Sequence, residues 1–450
     1  MLTPRFKLSQ DDRSITIEIR APYCSLRELQ VEVDENVFLF FCKPYFLRLF
    51  LPGKLIENEN YRSSFDCDSG EFTFTYDKAE YGEHFEDLDF ITKFLVTRVE
   101  TTYENKPNIL VIDNEAKLPN ESDLSQGFGF ALMGHRNFVA VSSEFSEVFE
   151  IDPSEVNLKE RRKLRLQFEQ GKFDMGHYLA DYIENEDILS LLQLKTPWND
   201  IKDDDITFSN KELDFLKDLP NINYELSELQ IKYVFNGLID ILYAYCYDGR
   251  TTDYDTNSES GWTIVKLSAT LCWLDAFDNT KDVLISAFRR SVTYPLFRNF
   301  ELSLKVLEDL KQLLKLSDKY IIKCLIQIYY IFLGGDCCRY ILNNLFIKDY
   351  IIYIINWDRN RWREFLKEVD SLEIKKEELG FNLFEIEQGF TLENKMENLK
   401  ISVVSDDSDD ESSESSDSDD SSESETESSN ECQSNTETVG GKEKYITTDL

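Results

Sequence analysis

The sequence predicts an all-β antiparallel sandwich followed by an all-α domain and a disordered acidic tail, and three observations carry that prediction. Apolar residues alternate with period two through the first ninety-six residues, and helical periodicity takes over from about 126 to 398. Residues 405–431 hold thirteen acidic side chains and twelve serines, with no basic residue, and so cannot bury a core. The expected divisions are 1–96 for the sandwich, 97–125 for a linker, 126–398 for the helical domain and 399–450 for the tail.

In the first division, Ile15, Ile17 and Ile19 alternate with Thr16, Glu18 and Arg20. Val31 and Val33 flank Glu32, and Phe72, Phe74 and Tyr76 alternate with Thr73 and Thr75. Successive strand side chains point to opposite faces, so each run has one dry and one wet side. Runs at 37–42 and 45–51 are separated by Lys43-Pro44, and Pro52-Gly53 stops the second. About seven strands in two sheets, and no helix, are expected. Residues 97–125 lose periodicity and gain Asn, Glu and Pro, as a linker does.

The helical part shows a start signal at Asp152-Pro153-Ser154-Glu155. Asp152 is expected as N-cap and Pro153 at the first helical position, with Glu155 reaching back and Gly171 as terminator. Further helices are expected over 177–194, 225–247, 262–275, 281–290, 297–316, 318–333, 338–347 and 359–377. Tyr233, Phe235, Tyr243, Tyr245 and Tyr247 surround the second of these, which must therefore be buried or lie in a groove. No fixed period relates the helices, so a solenoid is not expected.

Charge narrows the function classes. The 450 residues include 86 Asp or Glu against 49 Lys or Arg, for a net charge of -37. The excess is -7 over 1–96, -16 over 97–404 and -13 over 405–431. A protein that reads nucleic acid by neutralising phosphates is thus disfavoured, and a basic protein partner is the natural complement. Residues 1–20 lack the apolar core of a secretory signal. Apolar stretches at 229–247 and 324–333 are interrupted or too short to span a bilayer, so no membrane role is expected. Nine cysteines with no CxxC pair read as reduced, mostly buried thiols. In the tail, Ser408, Ser416, Ser422, Ser424 and Ser428 each have an acid three residues on, which makes them candidate sites for an acidophilic kinase. A purely solubilising tail is the other reading.

Residues suited to chemistry are sparse. His84, His135 and His177 have no neighbouring nucleophile or ligand-spaced acid, and Gly127-Phe128-Gly129 follows no strand and lacks the rest of a phosphate loop. No catalytic, cofactor or metal residue is assigned, and an enzyme is not expected. The run Lys159, Arg161, Arg162, Lys163 and Arg165 reads as a solvated helix surface. Arg289, Arg290, Tyr294 and Arg298 bring guanidinium groups beside an aromatic and a helix break, either as interhelical ion pairs or as interface anchors. They are candidate partner-binding residues, along with Asp181, Glu184, Glu186 and Asp187 on the expected 177–194 helix. Asp181 and Glu184, three apart, would share a side, solvated or facing a basic partner.

Longer strings carry a resemblance. MLTPRFKLSQ, KPYFLRLFLPGK and HFEDLDFITKFL in the first part, and KFDMGHYLADYIENEDI, LIDILYAYCYDGRTT, KLSATLCWLDAF, RRSVTYPLFRNF and YILNNLFIKDY in the second, resemble the Shq-type assembly factors of H/ACA ribonucleoproteins. The likeness extends to about residue 380. It implies an N-terminal CS domain, similar to co-chaperones of the ninety-kilodalton heat-shock protein, and an Shq-specific helical domain. It further implies a non-catalytic chaperone that binds the free pseudouridine synthase dyskerin through the helical domain. There it would act as an RNA-mimicking placeholder before assembly, in support of ribosomal RNA pseudouridylation. A monomer of the nucleoplasm and cytoplasm, with no cofactor and no direct nucleic-acid contact, is implied as well. The alternative is a general co-chaperone that works through its CS domain.

Overall fold

The computed structural model describes residues 2–24, 29–56, 62–66, 69–95, 124–134, 145, 147–152, 155–335 and 338–390. Most of the expected linker, His135, the Pro153-Ser154 pair, the acidic tail and its five candidate serines lie outside the described residues. Met1–Leu392 forms one compact unit.

Seven strands build the sandwich: β1 Arg5–Gln10, β2 Ser14–Arg20, β3 Gln30–Asp34, β4 Val37–Cys42, β5 Tyr45–Phe50, β6 Arg62–Asp66 and β7 Glu71–Asp77. They form a four-stranded sheet of order β1-β2-β7-β6 and a three-stranded sheet β3-β4-β5, with every pair antiparallel. The period-two reading is met in the packing, since Ile15, Ile17 and Ile19 are all fully buried. Phe38 and Phe40 of one sheet meet Phe72, Phe74 and Tyr76 of the other, with the Phe40 and Phe72 rings edge to face at 5.2 Å. A 3-10 turn, Ile91–Phe94, closes this part where no helix is expected.

Among the described residues the α-helices that follow include α1 Leu158–Lys172, α2 Met175–Ile183, α3 Glu186–Gln193, α4 Asn210–Asp218, α5 Glu228–Thr251, α6 Ser260–Leu267, α7 Ala269–Cys272, α8 Thr280–Ser291, α9 Phe300–Leu313, α10 Asp318–Gly334, α11 Lys348–Asn356 and α12 Arg359–Ser371, and residues 383–390 are helical too. The aromatic-rich α5 is the central post, capped by a Ser227/Gln230 box and buried from Val234 to Arg250. Ser268 divides the expected 262–275 helix: its hydroxyl accepts from Leu271 N to start α7 and donates to Asp240 at 2.7 Å. Among the described residues, no helix is long and apolar enough to cross a membrane.

Two local expectations are corrected. The first helix starts not at Asp152 but at Asn157, whose side chain accepts from Glu160 N while Glu160 reaches back to the Asn157 amide. And α1 is a solvated basic surface only in part: Lys159 and Lys163 are exposed and Arg162 half-buried, but Arg161 and Arg165 are not on the surface. Arg161, Arg165 and Glu169, spaced four apart on one stripe, are buried, while Leu164, Leu166 and Phe168 are roughly two-fifths exposed. The amphipathic rule is inverted because charged partners, rather than an apolar core, wait on the inside.

Sandwich and helices share one continuous core. Along the seam Arg5 forms a two-pronged pair with Asp214 of α4, Lys319 pairs with Asp89, and Arg359 bridges Asp87 at 2.5 Å and Asp318 at 2.6 Å. Thr92 donates to the Leu216 carbonyl, and Asn221 donates to the Lys93 and Leu95 carbonyls. The Arg359 and Lys93 cations hold Asp87 below the ordinary carboxylate range, against the effect of burial.

Candidate protein-interaction surface

The predicted residues fall into two groups with opposite environments. Arg289 and Arg290 end α8 inside the protein, 6% and 0% exposed. Arg289 donates to Glu169 at 2.8 Å and to the Leu379 carbonyl. Arg290 donates to Glu169 at 3.1 Å, to the Lys266 carbonyl at 2.7 Å and to Cys272 Sγ at 3.0 Å. Arg165 adds a bond of 2.9 Å to Glu169 and one of 3.0 Å to Asp275. Burial alone would raise the Glu169 pKa, but the three guanidinium groups reverse that and hold it below its usual range. Interhelical ion pairing therefore accounts for Arg289 and Arg290, and neither presents its charge to a partner. Tyr294 lies under the Arg290 guanidinium at 4.6 Å, with its hydroxyl buried and without a hydrogen-bond partner. Arg298 is half-buried and turns back to the Pro295 carbonyl at 3.0 Å.

The acidic group lies outside. The expected continuous helix 177–194 is broken at Glu184-Asn185, where Glu184 takes φ -92 and ψ 70 as the C-cap of α2. Glu186 and Asp187 then occupy the first turn of α3, where the helix dipole favours carboxylates. Asp181 does not share their environment. It accepts from the Arg298 amide at 2.5 Å and lies 3.6 Å from His177 Nε2, which itself donates to the Leu296 carbonyl at 2.9 Å. Asp181 and His177 thus tie α2 to the 295–298 turn. Glu184, Glu186 and Asp187 are exposed and form no ion pair among the described residues. Around them Met175, Tyr182, Ile183, Leu189 and Leu296 are 37–71% exposed. The result is a carboxylate-rimmed apolar surface made by α2, α3 and the 295–298 turn, a combination suited to a basic partner with apolar contacts.

Buried arginines recur through the helical body. Arg161, Arg165, Arg250, Arg289 and Arg290 are all buried. Arg250 forks onto Asp309 at 2.5 and 2.7 Å, and Arg161 donates to the carbonyls of Gly127 and Leu274. Glu169, Asp240, Asp248, Asp275, Asp309 and Glu387 are buried as well, so the interior charges balance and the outer face keeps the acidic excess of the composition. Gly127 serves this packing and not a phosphate: a Cβ there would lie 2.3 Å from the Leu132 carbonyl oxygen. His84 is exposed. Among the described residues, no three His, Cys, Asp or Glu are grouped to hold a metal ion.

Seven-stranded sandwich, helical body and outward carboxylates together describe a protein-binding class of molecule. Comparison with known proteins makes this particular. The family described as SHQ1-like, CS domain, matches residues 3–95, and that described as SHQ1 protein, Shq1 domain, matches residues 197–383. The chain is similar to the Protein SHQ1 homolog of Xenopus tropicalis, 35% identical over 423 residues that cover 87% of this chain and 70% of that one. It is likewise similar to the Mus musculus homolog, 34% identical with 86% and 75% covered, and to Protein shq1 of Schizosaccharomyces pombe, 28% identical with 92% and 100% covered. The chain belongs to the SHQ1 family. That membership supports a role as a protein assembly chaperone for H/ACA ribonucleoproteins.

Proposed function

We propose that this chain holds the free pseudouridine synthase dyskerin through its helical body, in the nucleoplasm and cytoplasm, and occupies the place that guide RNA later takes. The observation that carries this reading is the set Glu184, Glu186 and Asp187, exposed and in no ion pair among the described residues, beside the exposed apolar residues of α2 and α3 in a chain of net charge -37. A synthase surface built for phosphate is basic and accepts carboxylates in the same place. Such a chaperone makes and breaks no bond; it blocks stray RNA until assembly displaces it.

The test is binding of the full chain to purified dyskerin over a salt series, with and without H/ACA guide RNA. Mutual exclusion and a steep loss of affinity with salt are expected, because exposed charge pairs are screened beyond a Debye length of about 8 Å at physiological ionic strength. A stable ternary complex with RNA would overturn the placeholder reading.

A further inference from the structure

The α2–α3 surface has little beneath it. Within α2 only Tyr178 is buried, and within α3 only Ile188. Amphipathic helices are ordinarily held by a broad apolar stripe, so something else must fix α2 in place. Its floor is a strap from the end of the helical body, residues 374–387, which turns at Gly380 and enters a helix at 383 that carries Glu387. Ile374, Leu379, Phe381 and Leu383 are buried in it, and Lys376–Leu379 makes a 3-10 turn.

The strap contacts α2 and the joint before it at two points. Phe381 stacks on Phe173, which caps the C-terminus of α1, with ring centroids 4.3 Å apart and planes 9° from parallel. Glu387, 7% exposed, divides its carboxylate: one oxygen accepts from the Tyr178 hydroxyl at 2.7 Å and the other from Lys376 at 2.8 Å. The strap is in turn pinned to the buried charge network. Arg289 donates to the Leu379 carbonyl and lies 4.1 Å over the Phe381 ring, and the left-handed Gly380, φ 70, turns the chain there. One arginine thus joins the Glu169 centre to the strap, and the strap to α2.

We infer that residues 374–387 form the clip that sets the α2–α3 surface, and that Glu387, acting through Tyr178, is its positioning residue for partner binding. The partner clause rests on the reading proposed above; the clip itself does not. Neither Tyr178 nor Glu387 touches the partner, since both are buried. Their effect is on the population of α2 docked in the binding-competent position, and the apparent affinity scales with that population.

The experiment uses the full chain and three variants, Tyr178→Phe, Glu387→Ala and Glu387→Gln. It measures amide hydrogen exchange over 175–193, with α5 as the internal control of global folding, and dyskerin affinity on the same samples. Tyr178→Phe and Glu387→Ala are expected to speed exchange over 175–193 by about three- to tenfold, the effect of one buried hydrogen bond, with α5 unchanged. Affinity for dyskerin is expected to fall by a similar factor, and Glu387→Gln, whose single oxygen can accept from Tyr178 but not also from Lys376, to lie between the parent and Glu387→Ala on both counts. Unchanged exchange in Tyr178→Phe and Glu387→Ala would overturn the clip. Faster exchange with unchanged affinity would overturn the positioning role. Failure of the parent chain to bind dyskerin would instead remove the proposed function, while the exchange measurement would still decide the clip.

Discussion

Two of the places where cations meet carboxylates in this molecule serve different ends. Around Glu169 three guanidinium groups converge on a carboxylate with no exposed surface. Along the seam between sandwich and helices, Arg5, Lys319 and Arg359 make equally direct pairs whose side chains are about one-third exposed. Water already solvates the seam charges, so each pair there adds little beyond orientation. Inside, water is absent, and removing one partner strands the others. The centre therefore specifies one arrangement of α1, α8 and the strap, whereas the seam aligns two parts that share an apolar core.

Breaking the interior member gives the largest effect. Glu169→Ala leaves Arg165, Arg289 and Arg290 without their common acceptor, and chemical denaturation should show a loss of about 3–5 kcal/mol. A buried carboxylate with no cation sharpens the contrast. Burial pushes Asp248 up to about 6, with only a Ser260 hydrogen bond opposing. The folded state then binds more protons than the unfolded one between the ordinary carboxylate pKa, about 4, and about 6. This contribution to stability is present below about 4 and is lost as pH rises through about 6. Asp248→Asn should flatten that segment of the stability curve, an effect of roughly 3 kcal/mol. Glu169 has the opposite sign, since its stabilising charge is present above the ordinary Glu pKa and lost as pH falls through its lowered value.

At the seam the effects shrink. Arg359→Ala removes bonds to both Asp87 and Asp318 and should cost about 1 kcal/mol by thermal or chemical unfolding. Arg5→Ala should cost no more than about 0.5 kcal/mol, and less as salt is raised, because its pair with Asp214 is partly solvated. A loss for Arg5→Ala as large as that for Glu169→Ala would erase the distinction between the two regions.

Legibility in the sequence follows the same division. The sandwich was readable because Ile15, Ile17 and Ile19 alternate on a face that is buried, and α5 because its aromatics leave no wet side. Helix ends were less so, since Asp152 and Asn157 each precede an acid by three residues and tertiary packing chooses between them. The helix α4 was missed although Ser209 and Glu212 carry the same box, because only Leu213 and Leu216 of its nine residues are buried. Buried arginines are the hardest to read. Arg161 and Arg165 form a stripe with Glu169 at a spacing of four, but nothing local says that the stripe faces inward. That depends on Asp275, Arg289 and Arg290, more than a hundred residues away. The candidate surface was half legible for the same reason: Glu184, Glu186 and Asp187 are outward, whereas Arg289 and Arg290 belong to the interior.

The most direct test of the account is dyskerin binding by the full chain and by a triple variant, Glu184→Lys, Glu186→Lys and Asp187→Lys, at physiological salt. Those residues are exposed and form no ion pair among the described residues, so the fold should be kept, with a cost confined to the first turn of α3 that amide exchange over 186–193 reads separately. The account predicts a loss of affinity of at least tenfold, with the parent chain displaced by guide RNA. Equal affinity for parent and variant would contradict it and would place the partner on another face.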